Sequence, residues 1–391
     1  MSTLIDLAGR LRTLSPVSER SFVARVTEDR EISVAERSTC ALLLRSANLP
    51  VPVGFAAYLC HADFGANEQP NTYVLPRELH YLAEGDIVGI EPTRRRLRAI
   101  FRKASPSNSF LVTERCDNYC VMCSQPPKAA RDEWLVDELM EVIPLVDPST
   151  ESLGITGGEP GLLGARLVEL LASMKLHLPT TSFHVLSNGR AFADAAFARD
   201  IARIGMHDLM IGIPLYSDVA EEHDYVVQSR GAFDETVRGI LNLKRAGVRV
   251  ELRFVIHRAT AHRLLEFAEF VARNLLFVDH VALMGLELMG FGRANMEALW
   301  LDPLDYAANL TKAVRTLERA RMPLSIYNHQ LCVLPSQLHP FARRSISDWK
   351  NWYPAECEAC ALRPDCGGFF ASSTLRRSRG IAPLIQGVIA P

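Results

Sequence analysis

No stretch of about 18 consecutive uncharged apolar residues occurs in this chain, so a helix crossing a membrane is not expected. The opening residues, MSTLIDLAGRLRTL, lack the apolar core of a secretory leader, and the expected location is cytoplasmic. An excess of one charge is missing too. Lys and Arg number 43 against 45 Asp and Glu, and a net charge of -2 gives no general attraction to nucleic acid or to an anionic membrane. The local exception is the basic run Arg94, Arg95, Arg96, Arg98, Arg102 and Lys103. It reads as a solvated hairpin, and no nucleic-acid partner is expected. Low-complexity segments and sequence repeats are also absent, and 48% hydrophobic with 23% charged residues excludes disorder as the main state.

What is present is a change of pattern along the chain. The length of 391 residues suits one large α/β barrel with an attachment at each end. Residues 1–105 hold short apolar runs split by Pro and Gly, such as LPVPVGFAAYLC and the hairpin-like GDIVGIEPTRRRLRAIFR, and form a small β-rich N-terminal module. Strand patterns then alternate with amphipathic helices. The expected strands are 110–113, 153–156, 183–187, 209–216, 250–256 and 281–288, with helices over 132–146, 162–175, 192–204, 232–246, 260–275 and 303–321. Six βα units are too few for a closed eight-stranded barrel and predict an open, partial (β/α)6 barrel over 106–322. Ligands then belong on the βα loops at the carboxyl ends of the strands. Residues 323–391 form a cysteine-rich module ending in a loosely held tail from Leu375.

Nine cysteines in a reducing compartment point to metal ligands wherever they cluster. The loop after the first barrel strand reads Cys116-Asp-Asn-Tyr-Cys120-Val-Met-Cys123. Three thiolates leave one iron of a cuboidal 4Fe-4S cluster open to another ligand, whereas structural zinc is closed by four protein ligands. After the second strand comes Gly157-Gly158-Glu159-Pro160, where glycines permit close backbone approach and a carboxylate can pair with an ammonium group. Downstream lie Cys332, Cys357, Cys360 and Cys366. Four thiols suffice for a second 4Fe-4S cluster, and equally for a zinc ion. Cys40 and Cys60 stand apart and read as small buried hydrophobes.

The C-x3-C-x2-C spacing directly after the first strand of a partial βα barrel resembles the radical S-adenosylmethionine (radical SAM) superfamily, over roughly Ser109 to Glu287. One departure is Met122, where the family usually has an aromatic residue before the third cysteine. The resemblance implies a 4Fe-4S cluster on Cys116, Cys120 and Cys123, with S-adenosylmethionine on its open iron. It also implies that Gly157, Gly158, Glu159 and Pro160 engage the methionine amino group. The turn Ser187-Asn188-Gly189 is similar to one that meets the ribose or carboxylate in relatives, and Arg253 is placed to pair with the methionine carboxylate. Both features also have plain structural readings, as a common turn and a surface arginine.

The segment from His223-Asp224 to Gly231-Ala-Phe233-Asp234 resembles the HD…GxFD element of peptide and protein maturases, although Asp and Gly are also ordinary capping and turn residues. The stretch SISDWKNWYPAECEACALRPDCGGFFAS and the sequence GFGRAN resemble the C-type radical SAM maturase of the His-Xaa-Ser peptide system. That resemblance implies an auxiliary 4Fe-4S cluster on the C-terminal cysteines, a ribosomally made peptide substrate, a companion radical SAM maturase and a flavodoxin- or ferredoxin-type electron donor. A peptide is further expected to add a strand to an exposed edge of the N-terminal module. The alternatives are a radical SAM enzyme acting on a small molecule or RNA, and a non-enzymatic zinc protein.

Overall fold

The structure is a computed structural model that describes residues 7–46, 50–63, 69–344 and 352–385. The part 345–351 of the C-terminal maturase-like stretch and the tail beyond residue 385 lie outside the described residues.

Eight strands build the N-terminal module: β1 (Ala8–Arg10), β2 (Arg12–Thr13), β3 (Phe22–Thr27), β4 (Cys40–Leu44), β5 (Ala57–Cys60), β6 (Thr72–Val74), β7 (Ile87–Glu91) and β8 (Arg96–Phe101). A single helical turn, α1 (Val34–Arg37), is held between β3 and β4 by a capping box of Ser33 and Glu36. The sheet order is β1-β8-β7-β3-β4-β5-β6-β2. Its two edges, β1 and β2, are successive pieces of one segment joined at the buried Leu11. The sheet therefore closes on itself around Leu11, Ala24, Val26, Leu43, Leu59, Tyr73, Val88 and Leu97. This corrects the expectation of an exposed edge for a peptide: closure pairs both edges through the same segment. Cys40 and Cys60 are buried with Leu42, Leu44, Phe55 and Tyr58 on the other face of the sheet.

The second sheet holds seven parallel strands in sequential order: β9 (Asn108–Leu111), β10 (Ser152–Thr156), β11 (Ser182–Leu186), β12 (Asp208–Pro214), β13 (Arg249–Ile256), β14 (His280–Gly285) and β15 (Leu324–Tyr327). All six expected strands are present, with ends shifted by at most three residues. The seventh, Leu-Ser-Ile-Tyr, carries the barrel sheet past residue 322 into the stretch expected to be the C-terminal module. Unlike the first sheet, this one stays open, with β9 and β15 at its two edges.

The connecting helices are α2 (Trp134–Val142), α3 (Ala165–His177), α4 (Ala195–Arg203), α5 (Ala220–Val227), α6 (Ala232–Arg245), α7 (Leu264–Asn274), the short α8 (Gly290–Ala294) and α9 (Met296–Leu299), and α10 (Pro303–Arg319). Alternation along β13 sends Val250, Leu252, Phe254 and Ile256 outward into the helix-covered core. Glu251 and Arg253 take the opposite, lumenal face.

The two modules share a core, because Ile87 and Phe101 of the first pack with Phe110 and Val136 of the second. Part of the basic run serves this junction. Arg98 donates to Glu138 on α2 at 2.6 Å and lies over the Trp134 ring, and Lys103 pairs with Asp147 at 2.7 Å. The solvated-hairpin reading holds for the exposed Arg94, Arg95 and Arg96 at the turn. Among the described residues no helix is long and apolar enough to cross a membrane.

Leu59 is fully buried inside the closed N-terminal sheet. Leu59→Ala should cost about 2–5 kcal/mol, read by chemical denaturation as an earlier loss of the N-terminal module's signal, while iron bound by the barrel cysteines stays at the wild-type level.

Candidate active site

The cysteine loop sits at the carboxyl edge of the open sheet and is held from several sides. Asp132 anchors its start, accepting from the Thr113 hydroxyl at 2.8 Å and the Glu114 amide at 2.5 Å and pairing with Arg115 at 3.0 Å. Inside the loop the amides of Tyr119 and Val121 donate to the carbonyls of Val227 and Val226, at 3.0 and 2.9 Å. Those carbonyls end α5, where helical partners run out. On the far side the Phe291 amide reaches the Cys123 carbonyl at 2.8 Å, and Asn295 reaches the Val121 carbonyl at 2.8 Å.

This gives GFGRAN a physical role. A Cβ on Gly290 would lie 2.5 Å from the Cys123 carbonyl oxygen, and one on Gly292 would lie 2.6 Å from that of Glu287. Both glycines allow α8 to pack under the third cysteine, a function that the sequence alone did not reveal. Met122 is buried against Tyr216, Val226, Val227 and Leu299, so an apolar plug is kept at the position where an aromatic residue is usual.

The HD…GxFD element supports the same loop. Asp224 accepts the amides of Gly231, at 2.5 Å, and Phe233, at 2.8 Å, which fixes the start of α6. His223 is buried beside the Tyr216 ring, and burial lowers its pKa to about 4. The neutral ring accepts the Tyr216 amide at Nδ1, 3.2 Å away. Together they set the end of α5, whose carbonyls carry the cysteine loop.

Glu159 is the center of a second network. Its carboxylate is 1% exposed and accepts from the Gly161 amide at 2.6 Å, the Ser187 hydroxyl at 2.7 Å and the Asn188 amide at 2.5 Å. Burial raises its pKa to about 7, against the lowering effect of these three hydrogen bonds. Three of the expected site residues thus meet. Asn188 also donates to Asp117 at 2.6 Å, inside the cysteine loop. Arg190 adds bonds to the Asp117 carbonyl at 3.0 Å and to the Asn118 side chain at 2.7 Å, and it reaches Glu235 on α6 at 2.6 Å.

Gly157 and Gly158 pack directly against the first βα loop. Cβ atoms there would lie 2.6 Å from the Thr113 carbonyl oxygen and 2.1 Å from that of Arg115. The glycines let the second βα loop pack onto the first. Pro160 opens the 3-10 turn Pro160–Leu163 that Glu159 caps.

Arg253 stands on the lumenal face, apart from the Glu159 network. It donates to Glu251 at 2.5 Å and to the Met284 sulfur at 3.3 Å. Glu251 also meets His280 at 2.8 Å, and His280 meets Ser325 at 3.0 Å. Burial pushes the Glu251 pKa up, but the His280 hydrogen bond and the charge of Arg253 outweigh it and hold the carboxyl at about 2.

All three loop thiols have raised pKa values, chiefly by burial; Cys116 is pushed up to about 12. For Cys120 the nearness of Cys123 and Cys116 adds to the effect. A bound cation reverses this penalty. Of the other six cysteines, two are in the N-terminal core and four line a separate crevice, so the donor set at this loop is three thiols without a fourth. That set fits a 4Fe-4S cluster with one open corner. Among the described residues no three His, Cys, Asp or Glu side chains converge on a position for a single metal ion.

Cys332, Cys357, Cys360 and Cys366 come together around the second crevice, with Tyr353, Arg363 and Phe369. The Tyr353 hydroxyl donates to the Cys366 carbonyl at 2.6 Å, and the backbones of Trp352 and Phe369 pair at 2.8 Å.

The open parallel βα barrel thus carries a three-thiol loop with a buried carboxylate beside it and a separate four-thiol crevice. Residues 110–271 match the Radical SAM superfamily, and the chain carries a radical SAM domain there. No curated protein matches it. Among solved structures, SuiB of Streptococcus suis bound to S-adenosylmethionine is similar at 14% identity and a TM-score of 0.46, over 59% of this chain and 53% of SuiB. The complex of SuiB with the precursor peptide SuiA is similar at 13% identity and 0.44, over 57% and 48%. The protein anSMEcpe with bound AdoMet is similar at 17% identity and 0.45, over 56% and 63%. The match to this chain thus spans about half to under two-thirds of the length of these proteins.

Gly158→Ala should force the first two βα loops apart, because its Cβ meets backbone rather than a movable side chain. Iron bound after anaerobic reconstitution should fall well below wild type while the circular dichroism spectrum is kept. Wild-type iron in this variant would mean that the contact does not place the cysteine loop.

Proposed function

We propose that this protein is a radical SAM enzyme that modifies a ribosomally made peptide, of the His-Xaa-Ser type. The observation that carries the radical chemistry is the three-thiol loop of a radical SAM domain joined, through Asn188 and Asp117, to the buried Glu159. Cys116, Cys120 and Cys123 hold the cluster. When bound, the cluster and S-adenosylmethionine supply a one-electron cleavage of the sulfonium to methionine and a 5′-deoxyadenosyl radical. Glu159 receives the methionine ammonium, with Ser187 and the Asn188 amide fixing its carboxylate so that the remaining lone pair is aimed. Arg253, oriented by Glu251, takes the methionine carboxylate, and Ser187 and Asn188 lie on the ribose side. The surrounding βα loops exclude water from the reacting atoms.

The peptide substrate is supported by the C-terminal cysteine crevice, by the HD…GxFD element and by the lateral opening of a seven-stranded sheet that does not close. The four C-terminal thiols hold an auxiliary 4Fe-4S cluster. A flavodoxin- or ferredoxin-type donor supplies the electron, and a companion radical SAM maturase acts on the same peptide.

Cys116→Ala, Cys120→Ala and Cys123→Ala should each abolish 5′-deoxyadenosine formation under reducing, anaerobic conditions; normal formation by any of them would defeat the proposal. Glu159→Ala should chiefly weaken S-adenosylmethionine binding, measured by equilibrium dialysis, with iron content near wild type.

The substrate is tested by incubating the reduced protein with S-adenosylmethionine and His-Xaa-Ser repeat peptides, a scrambled peptide, a metabolite panel and RNA, followed by mass spectrometry. A mass change in the repeat peptide alone is expected. Product from a metabolite or RNA, with every peptide unchanged, would overturn the peptide assignment and leave the radical chemistry standing.

A further inference from the structure

The described part of the tail, which the sequence suggests is loosely held, is anchored at several points. Arg376 pairs with Glu297 on α9 at 3.0 Å and lies over the Trp300 ring at 4.7 Å. Two residues on, the chain reaches Asp302, the N-cap of α10, which is 3% exposed. Asp302 accepts the Leu304 amide of its own helix at 3.0 Å, the Ser378 hydroxyl at 2.6 Å and the Arg379 amide at 2.9 Å, and the Arg379 guanidinium pairs with it at 3.2 Å. Gly380 then lies against Leu304, close enough that a Cβ would meet its side chain at 2.8 Å.

From this anchor the chain enters the four-cysteine crevice. The Leu384 amide donates to the Cys360 sulfur at 3.4 Å, and the Leu384 carbonyl accepts the Ala361 amide at 2.8 Å. Ala382 lines the same crevice as Cys332. Pro383, between Ala382 and Leu384, has no N–H to give. One of the four sulfurs therefore receives an amide from a short segment fixed to the barrel at Asp302.

We propose that residues 378–385 form the outer shell of the C-terminal metal center, with the Leu384 amide on the sulfur of Cys360, and that Asp302 is the positioning residue for this segment. The proposal rests on the auxiliary 4Fe-4S cluster of the proposed function. Amide hydrogen bonds withdraw electron density from ligating sulfur and favor the reduced state, so they raise the potential of a cluster. The segment thus sets how readily that center takes an electron, and it ties that property to the N-terminus of α10.

The test uses full-length protein in which Cys116, Cys120 and Cys123 are all replaced by Ala, so that only the C-terminal center is read. Its sulfide content and its midpoint potential, followed by electron paramagnetic resonance, are compared with those after adding Leu384→Pro or Asp302→Ala. Leu384→Pro removes one N–H while leaving the anchor, and should shift the potential to a more negative value with sulfide near that of the parent. Asp302→Ala should shift it in the same direction and speed cluster loss to a chelator, with partial recovery in Asp302→Asn. An unchanged potential in both Leu384→Pro and Asp302→Ala would overturn the outer-shell role alone. Zinc without sulfide in the parent would overturn the cluster assignment beneath it.

Discussion

The backbone of the cysteine loop borrows its hydrogen bonds from other βα units, and that debt organizes the active end of the barrel. Presenting three thiols within eight residues leaves the loop outside any helix or strand, yet buried polar backbone must still be paired. Its amides go to the last carbonyls of α5, its carbonyls to α8 and Asn295, and its Asp117 to Asn188 and Arg190. The units that follow β9, β11, β12 and β14 must all be in place before the loop has a defined shape. The glycines of both the GGEP turn and GFGRAN belong to the same constraint, since each removes a side chain where backbone must touch backbone.

The buried charges fall into two groups with opposite character. Glu159 is surrounded by neutral donors and stays near the point of protonation, which suits a carboxylate that completes its partners only when a cation arrives. Glu251 already has Arg253 and His280 beside it and remains charged over the whole physiological range. The first thus has only neutral hydrogen-bond donors beside it, and the second uses its charge to orient a guanidinium.

Local pattern carried the barrel well. Six strands and their main helices follow from hydrophobic period, because each element buries one face in a single shared core. The strand Leu324–Tyr327 escaped notice because four residues beside a cysteine-bearing segment carry too little alternation to register. Closure of the N-terminal sheet was hidden for a related reason: it depends on two short strands, β1 and β2, pairing with partners far along the chain. At the site, residue types and spacing singled out Cys116, Cys120, Cys123 and Glu159, and the family resemblance added Ser187 and Asn188, which hydrogen-bond Glu159. What spacing could not convey was contact between distant loops, such as Asp224 acting through α6, or Leu384 reaching Cys360.

The closed N-terminal sheet also has a consequence for how the chain is made. The segment from Ala8 to Thr13 leaves the ribosome ahead of the module's other strands, but its partner β8 arrives only after all of them. Until Arg96–Phe101 emerges, β7 has no second neighbor and β1 has none at all. Closure is therefore a late, long-range event of the kind that slows folding, and the half-built module exposes unpaired strands during synthesis. Because Ile87 and Phe101 also belong to the barrel's core, the same late step prepares the surface on which β9 and α2 begin the second module.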